Sequence, residues 1–435
     1  MSPVATLDSP LPPSLPAGTE TAVFVSGASD APVEVSVDGM RHRTAWVRGR
    51  FWATVPVGAH GRAVEIAAVG GEEVALLARI EVVAPVPPPR LGRPAPAELI
   101  AICMATFEPD PALFRTQVES LRAQTDTRWV CVVSDDASSP AHVERIREVL
   151  GDDPRFLLSH SPERLGFYRN FERALRLAPA EADLLALCDQ DDRWAPEKLA
   201  VLRAALGDAG LVYSDQRLVD ADGRVLRDTL WRGRRNNHTD LTSMLVANTI
   251  TGAAVLMRRE IAELALPFPD TPGMLFHDAW IAVAALAAGD VAYVDRPLYD
   301  YVQHRGAIFG SVTHGEAPRR RRRPGSPRGS YFRGYVPRAV LAAVLLARDG
   351  GRLPAGKRRA LERFVAAERS TTAFLWLAVR PLRVLAGRTE TLASESELLP
   401  GLLWRRLAGP LRFDASLPAL LSFEQKRLRR WRARV

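Results

Sequence analysis

The chain is 435 residues long, carries a formal net charge of +8 and is 47% hydrophobic. That length exceeds a usual single domain and implies two or three. Its 3 cysteines all fall in apolar runs, which excludes a disulfide framework and points to a reducing cytosol. No stretch reaches the roughly 18 uninterrupted apolar residues a membrane span needs. The basic charge comes with no recognisable nucleic-acid module, so no nucleic-acid partner is expected.

Residues 1–18 are proline-rich and lack a basic segment ahead of an apolar run, so they read as a disordered leader and not as a signal peptide. Short strands follow at Thr21–Val25, Val33–Val37, Thr44–Val47, Phe51–Val57, Val64–Val69 and Val74–Val83. Alternation in Val33-Glu34-Val35-Ser36-Val37 and the Asp38-Gly39 turn signal predict a small antiparallel β-sandwich over residues 19–84, an accessory module. Its Trp46, Phe51 and Trp52 suit a core better than a sugar platform. Residues 85–96 form a stiff proline-rich linker.

The central region alternates strand and helix. Leu99–Thr106 is a continuous apolar run of the kind found in parallel strands covered on both faces. Leu113, Val118 and Leu121 recur at helical spacing. The strand Trp129–Ser134 then ends in Asp135 and Asp136, a helix fits Val143–Leu150, and the strand Leu184–Cys188 ends in Asp189, Asp191 and Asp192. This order predicts an α/β region with a mostly parallel sheet and ligands at the carboxyl ends of its strands. Side chains two apart on an extended chain point the same way. Asp189 and Asp191 can therefore offer oxygens to one hard divalent ion, Mg2+ or Mn2+, with positions left for phosphate oxygens. At the other acidic end, Asp136 or Ser138 can cap the next helix.

Past a basic linker at 316–330, which contains Arg319–Arg323, the C-terminal region 331–435 is helical in pattern. Val336–Ala347, Lys357–Arg369, Thr371–Val379 and Leu417–Arg434 are apolar stretches carrying many arginines. Basic helices beside apolar ones fit the anionic cytoplasmic face of a membrane, so peripheral contact there is the expected use of the charge.

Several motifs in order resemble the large inverting family of nucleotide-sugar glycosyltransferases called family 2. They are Ala105-Thr106-Phe107, Ser134-Asp135-Asp136-Ala137-Ser138, Leu165-Gly166-Phe167-Tyr168-Arg169-Asn170 and Asp189-Gln190-Asp191. Downstream come Asn248-Thr249-Ile250-Thr251-Gly252-Ala253-Ala254, Phe276-His277-Asp278-Ala279-Trp280 and Tyr301-Val302-Gln303-His304. The resemblance covers roughly residues 97–312 and implies a GT-A fold, Rossmann-like, over 97–315. It implies transfer of a single sugar from a dTDP- or UDP-linked donor to a hydroxyl of a glycan or lipid-linked acceptor, in cell-surface polysaccharide synthesis.

Carried over residue by residue, the resemblance makes Asp278 the general base. It puts Thr106, Asp135, Asp136, Arg164, Asn170 and Asp189 at the nucleotide sugar, and Gly252, His277 and Trp280 at the acceptor. Asp189, Asp191 and His304 would hold the metal. Trp280 also suits the core. Tyr301–His304 is similar to the Tyr-Arg-Gln-His element of the rhamnosyltransferase-like branch, but Val302 replaces its Arg, and Arg305-Gly306-Ala307 follows where that branch reads Gly-Asn-Asn. The Arg305-Gly306-Ala307 departure weakens the inference to rhamnose, and Val302 removes a possible diphosphate contact. The Gln-x-x-Arg-Trp signature of polymerising relatives is absent, which fits transfer of single residues. Two other readings stand beside this one. A sugar-nucleotide or glycan-binding protein without turnover is opposed by the joint presence of Asp136, Asp189, Asp191 and Asp278, and a metal-dependent nucleotidyltransferase by the lack of a glycine-rich loop at Thr106-Phe107-Glu108-Pro109.

Overall fold

The computed structural model describes residues 5–8, 10–47, 49–92, 94–230, 236–269, 276–304, 326–384 and 394–408. Arg305-Gly306-Ala307, the run Arg319–Arg323 and the stretch Leu417–Arg434 lie outside the described residues. The chain forms two compact units. One holds the described residues of 88–268 and 276–304, and the other those of 5–87 and 326–408.

The first unit is built on a 9-stranded sheet. Phe156–His160, Trp129–Asp135, Leu99–Thr106 and Ala182–Cys188 lie side by side in that order, all parallel. Their apolar runs are continuous because helices cover both faces, and Leu99 to Met104 and Leu184 to Cys188 are buried throughout. Chain order reverses between Leu99–Thr106 and Ala182–Cys188, which makes the carboxyl ends of these two strands the switch point where open α/β sheets bind ligands. The sheet continues through Val255–Arg258, which is antiparallel to both its neighbours. Leu211–Asp220 comes next, then Val291–Gln303 parallel to it, then the short Arg193–Trp194.

Asp110 starts the helix Pro111–Arg122 by accepting from the N–H groups of Ala112 and Leu113 at 2.9 and 3.1 Å, and Pro111 fills the first turn. The helix Pro140–Leu150 begins from Ser139, so neither Asp136 nor Ser138 is its cap; their polar groups are engaged elsewhere, as described below. Cys103, Cys131 and Cys188 are buried and free.

In the second unit, two sheets of 4 and 5 strands enclose a core of Val25, Val35, Phe51, Val55, Val64, Ile66 and Ile80. Asp38 and Gly39 join Glu34–Val37 to Met40–His42 with φ of 48° and 84°, the two positive values that a tight hairpin turn requires. Two expectations need correction here. Part of the presumed disordered leader is ordered: Thr6–Leu7 pairs with Glu20–Ala28, and Ser14–Pro16 with Glu73–Val83. The sandwich and the C-terminal helices, read from the sequence as separate regions, share this one unit. Trp52 meets Phe332 edge-on at 6.1 Å, and the helix Val336–Asp349 packs on the strands Glu20–Ala28 and Arg50–Gly58. Trp46, half-buried, donates its indole N–H to Ser29 Oγ at 3.0 Å, so these aromatics serve packing. The remaining described helices include Ala355–Ala366, Thr371–Val379 and Leu399–Ala408, and no described helix is long and apolar enough to cross a membrane.

Candidate active site

The switch point is bolted together by side chains at the strand ends. Gln190 forms a two-way amide link with Phe107, whose N–H donates to Gln190 Oε1 at 2.8 Å and whose carbonyl accepts from Nε2 at 3.2 Å. Asn170, buried on the helix Phe167–Arg176, donates to the carbonyls of Thr106 and Ser134 at 3.2 and 2.9 Å and accepts from Ser134 Oγ at 2.7 Å. Asp135 is fully buried and accepts from Thr106 Oγ1, from the Ser138 N–H and Oγ, and pairs with His160 Nδ1 at 2.7 Å. Asp136 accepts the N–H groups of Leu165 at 2.6 Å and Gly166 at 2.8 Å, one on each oxygen. It thereby fixes the loop that leads into the helix Phe167–Arg176. From that loop Arg164, exposed, lies 3.4 Å above the Phe107 ring.

The neighbouring acidic end is different in kind. Burial pushes the Asp189 carboxyl up to about 7, and the charges of Asp191 and Asp278 add to the effect. Asp192 is fully buried and held well above the usual carboxylate range by burial, then by Asp189 and Asp191. Its Oδ1 accepts from the Val302 N–H at 3.2 Å, whereas Oδ2 has no hydrogen-bond partner among the described residues. The strand Val291–Gln303 that delivers Val302 is anchored through Asp300, which Arg193 and Arg217 grip from two other strands. The same strand carries His304 to Asp191, Nε2 to Oδ2, at 2.8 Å, and the carboxylate raises the imidazole above its ordinary value.

One cation lies under the cluster. Lys198 is fully buried, with its ammonium bonded to the Ala253 carbonyl and 3.3 Å from the centre of the Trp194 ring. Burial brings it down to about 7.

Asp278 opens the helix His277–Ala288, and burial raises its carboxyl to about 7 although the backbone N–H groups of Ala279 and Gly252 both bond to it. His277 beside it is buried and stacks on Phe171 at 3.8 Å. Neither ring nitrogen has a hydrogen-bond partner among the described residues, and burial lowers the imidazole to about 3, so it is neutral. Gly252 makes the arrangement possible: a Cβ there would lie 2.4 Å from His277 Nε2.

The donors around Asp191 suit a hard divalent cation in kind. They are carboxylates and an imidazole, and the 2.8 Å between His304 Nε2 and Asp191 Oδ2 is a separation that two ligands of one ion with bonds of about 2.1 Å can have. The orphaned Asp192 Oδ2 and the raised Asp189 mark a local excess of negative charge. Among the described residues, however, no group of three or more His, Cys, Asp or Glu side chains is gathered as a metal site.

The residues singled out from the sequence thus divide. Asp189, Asp191, Asp278 and His304 come together around the acidic cluster, with Gly252 and His277 packed against Asp278. Thr106, Asp135, Asp136 and Asn170 are buried members of the strand-end scaffold. Trp280 needs correction as an acceptor contact: it is fully buried and its indole N–H donates to the Ala265 carbonyl at 2.7 Å, leaving no face for a sugar. Sequence reasoning missed Lys198, Gln190 and the inward turn of Asp192. The available signal for Lys198 was a lysine on the same stripe as Leu199, Leu202 and Leu206, which are all buried.

Comparison with known proteins gives the class. Residues 101–264 match the glycosyl transferase family 2 model, so this central part of the chain is similar to that family. An uncharacterized protein of Sinorhizobium fredii, y4gI, is 29% identical over 122 residues, a match that spans 27% of this chain and 13% of that relative's length. Among solved structures, residues 1–349 of S. aureus TarS in complex with UDP-GlcNAc align with a TM-score of 0.42 and 15% identity, covering 73% of this chain and 94% of the other. The mannosyltransferase PcManGT from Pyrobaculum calidifontis, in complex with GDP-Man and Mn2+, aligns with a TM-score of 0.38 and 18% identity over 73% and 90%. The likeness to the family rests on residues 101–264 and not on these distant alignments.

Proposed function

We propose that this chain is an inverting, metal-dependent glycosyltransferase that moves one sugar from a dTDP- or UDP-linked donor to a hydroxyl of a glycan or lipid-linked acceptor. The observation that carries the reading is Asp278: a half-buried carboxyl raised to about 7, beside the switch point and electrostatically coupled to Asp189. Such a group is poised to take a proton at neutral pH. The acceptor oxygen attacks the anomeric carbon as its proton passes to Asp278, and the bond from that carbon to the diphosphate oxygen breaks with its electron pair leaving on the diphosphate. The N–H groups of Gly252 and Ala279 hold the carboxylate in place through this exchange.

A divalent ion, Mg2+ or Mn2+, held by Asp189, Asp191 and His304 would supply Lewis-acid stabilisation of the leaving diphosphate. Arg164, exposed over Phe107, is the cation available for a donor phosphate. Asp135, Thr106 and Asn170 set the strand ends on which the nucleotide rests. Asp136 shapes the loop around it and keeps spare lone pairs for a base N–H or a ribose hydroxyl. His277, neutral and without a hydrogen-bond partner among the described residues, is the side chain next to Asp278 with a ring nitrogen to offer an acceptor hydroxyl. The Tyr301–His304 element keeps rhamnose among the sugars to test. A lipid-linked acceptor in cell-envelope polysaccharide synthesis would place the chain in the cytoplasm, peripheral on the membrane's cytoplasmic face, through its basic C-terminal region.

Asp278→Asn tests the base. Donor binding should persist while transfer falls by about 10²–10⁴-fold. Transfer at the wild-type rate would refute the assignment.

A further inference from the structure

We propose that Leu375, Val379 and Leu382 form a docking ridge for a lipid bilayer with anionic headgroups. The proposal deepens the reading above, which sets the acceptor at a membrane, by naming the surface that makes the contact.

The helix Thr371–Val379 reads Thr-Thr-Ala-Phe-Leu-Trp-Leu-Ala-Val, apolar around nearly its whole circumference. A helix of that kind in a water-soluble unit is ordinarily buried on all sides. This one buries Ala373 and Leu377, yet Leu375 and Val379 are each 54% exposed, and Leu382 in the following turn Arg380–Val384 is 61% exposed. Positions 375, 379 and 382 fall on one stripe by helical spacing. Alongside runs an open groove of about 600 Å³ in which Trp376 is a wall. Arg363, exposed, lies 5.9 Å from the Trp376 ring, whereas Arg380, 5.2 Å from it, is buried and paired with Glu395. The helix Leu399–Ala408 adds Leu403 and Leu407, exposed and one turn apart, and its Arg406 donates to Thr371 Oγ1 at 2.6 Å, so the two leucine rows belong to neighbouring helices.

Charge selects the occupant. Over residues 355–384, which include the ridge, the sequence holds 7 Lys and Arg against 2 Asp and Glu. Aliphatic side chains on a ridge, a tryptophan at its flank and surplus arginines are the chemistry of a helix lying in a membrane interface. The aliphatic groups enter the acyl region while tryptophan and arginine stay at the headgroups. A purely apolar protein partner would have no use for the cations. No described helix is long and apolar enough to cross a bilayer.

The test is sedimentation of the full chain with vesicles of phosphatidylcholine alone and of phosphatidylcholine mixed with phosphatidylglycerol. The wild type should pellet with the mixed vesicles and less with the neutral ones. The triple variant Leu375→Ser, Val379→Ser, Leu382→Ser should lose on the order of tenfold or more in partitioning. Val74→Ser with Leu76→Ser, which changes two exposed apolar residues of the sandwich, should bind as the wild type does. Thermal melts establish that both variants fold, as expected for exposed positions. Vesicle binding unchanged in the triple variant would overturn the proposal, as would no binding by the wild type, or a variant that alters only self-association. Donor turnover measured with a soluble acceptor should be the same in the triple variant, so a failure of the membrane surface and a failure of the glycosyltransferase reading give different results.

Discussion

Two parallel strands of the central sheet end in acids, and their surroundings are opposite. At Asp135 and Asp136 every carboxylate oxygen accepts at least one hydrogen bond, and the donors come from the Thr106 strand end, the Ser138 turn, the His160 strand end and the loop at Leu165. Around Asp189, Asp191, Asp192 and Asp278 the donors run short. One buried acceptor has none among the described residues, two carboxyls are raised to about 7, and Lys198 is a buried cation there, itself lowered to about 7. A satisfied buried carboxylate fixes a fold, whereas clustered acids short of donors are stable only with protons or a cation and so mark a place for chemistry. We therefore read the first pair chiefly as scaffold and propose the second as the reaction site.

The sharpest way to break this contrast is to delete one acid from each end. Asp135→Ala should cost about 3 kcal/mol or more in stability, because it strands buried donors on several elements. Asp191→Ala should leave melting in metal-free buffer nearly unchanged while abolishing donor turnover. Equal destabilisation by both would show that the two ends are alike. Next in size is Gly252→Ala, whose added methyl meets His277 Nε2 and disturbs the N–H that holds Asp278. We expect a loss of about 1–3 kcal/mol in stability with reduced turnover, and partial recovery when His277→Ala is added to relieve the clash.

The smallest effect is in pH dependence. Asp278 has a folded pKa of about 7 against an ordinary 3.8, so the folded state binds the proton more tightly than the unfolded one. Its contribution to stability is fully present below about pH 4 and is lost as pH rises through 7. Asp278→Asn should therefore stabilise the protein at pH 8, on the order of 2 kcal/mol, and have little effect at pH 4. His277, with a folded pKa of about 3 against 6.5, runs the other way: its contribution is present above 6.5 and lost as pH falls toward 3. Melting curves of Asp278→Asn and the wild type across this range check the sign.

Much of the fold was legible because the relevant signals are local. Continuous apolar runs marked Leu99–Thr106 and Trp129–Asp135, the Asp38-Gly39 pair marked a hairpin, and the apolar stretch Thr371–Val379 marked its helix. The strands Thr6–Leu7 and Ser14–Pro16 escaped because two or three residues cannot display a period. The site was legible in its acids but not in their difference. Both strand ends read alike in sequence, and the groups that satisfy Asp135 and Asp136 lie at His160, Leu165 and Gly166, brought to them only by folding. Lys198 escaped for a related reason, since a lone lysine beside leucines gives no sign that its ammonium ends beneath the acids.

The central claim is tested most directly by titrating purified protein with a panel of UDP-, dTDP- and GDP-sugars, with and without Mn2+, using Asp191→Ala as the control. The account predicts that a UDP- or dTDP-sugar binds, and that binding is lost without the ion or without Asp191. Failure of every donor to bind, or binding indifferent to both the ion and Asp191, would contradict it.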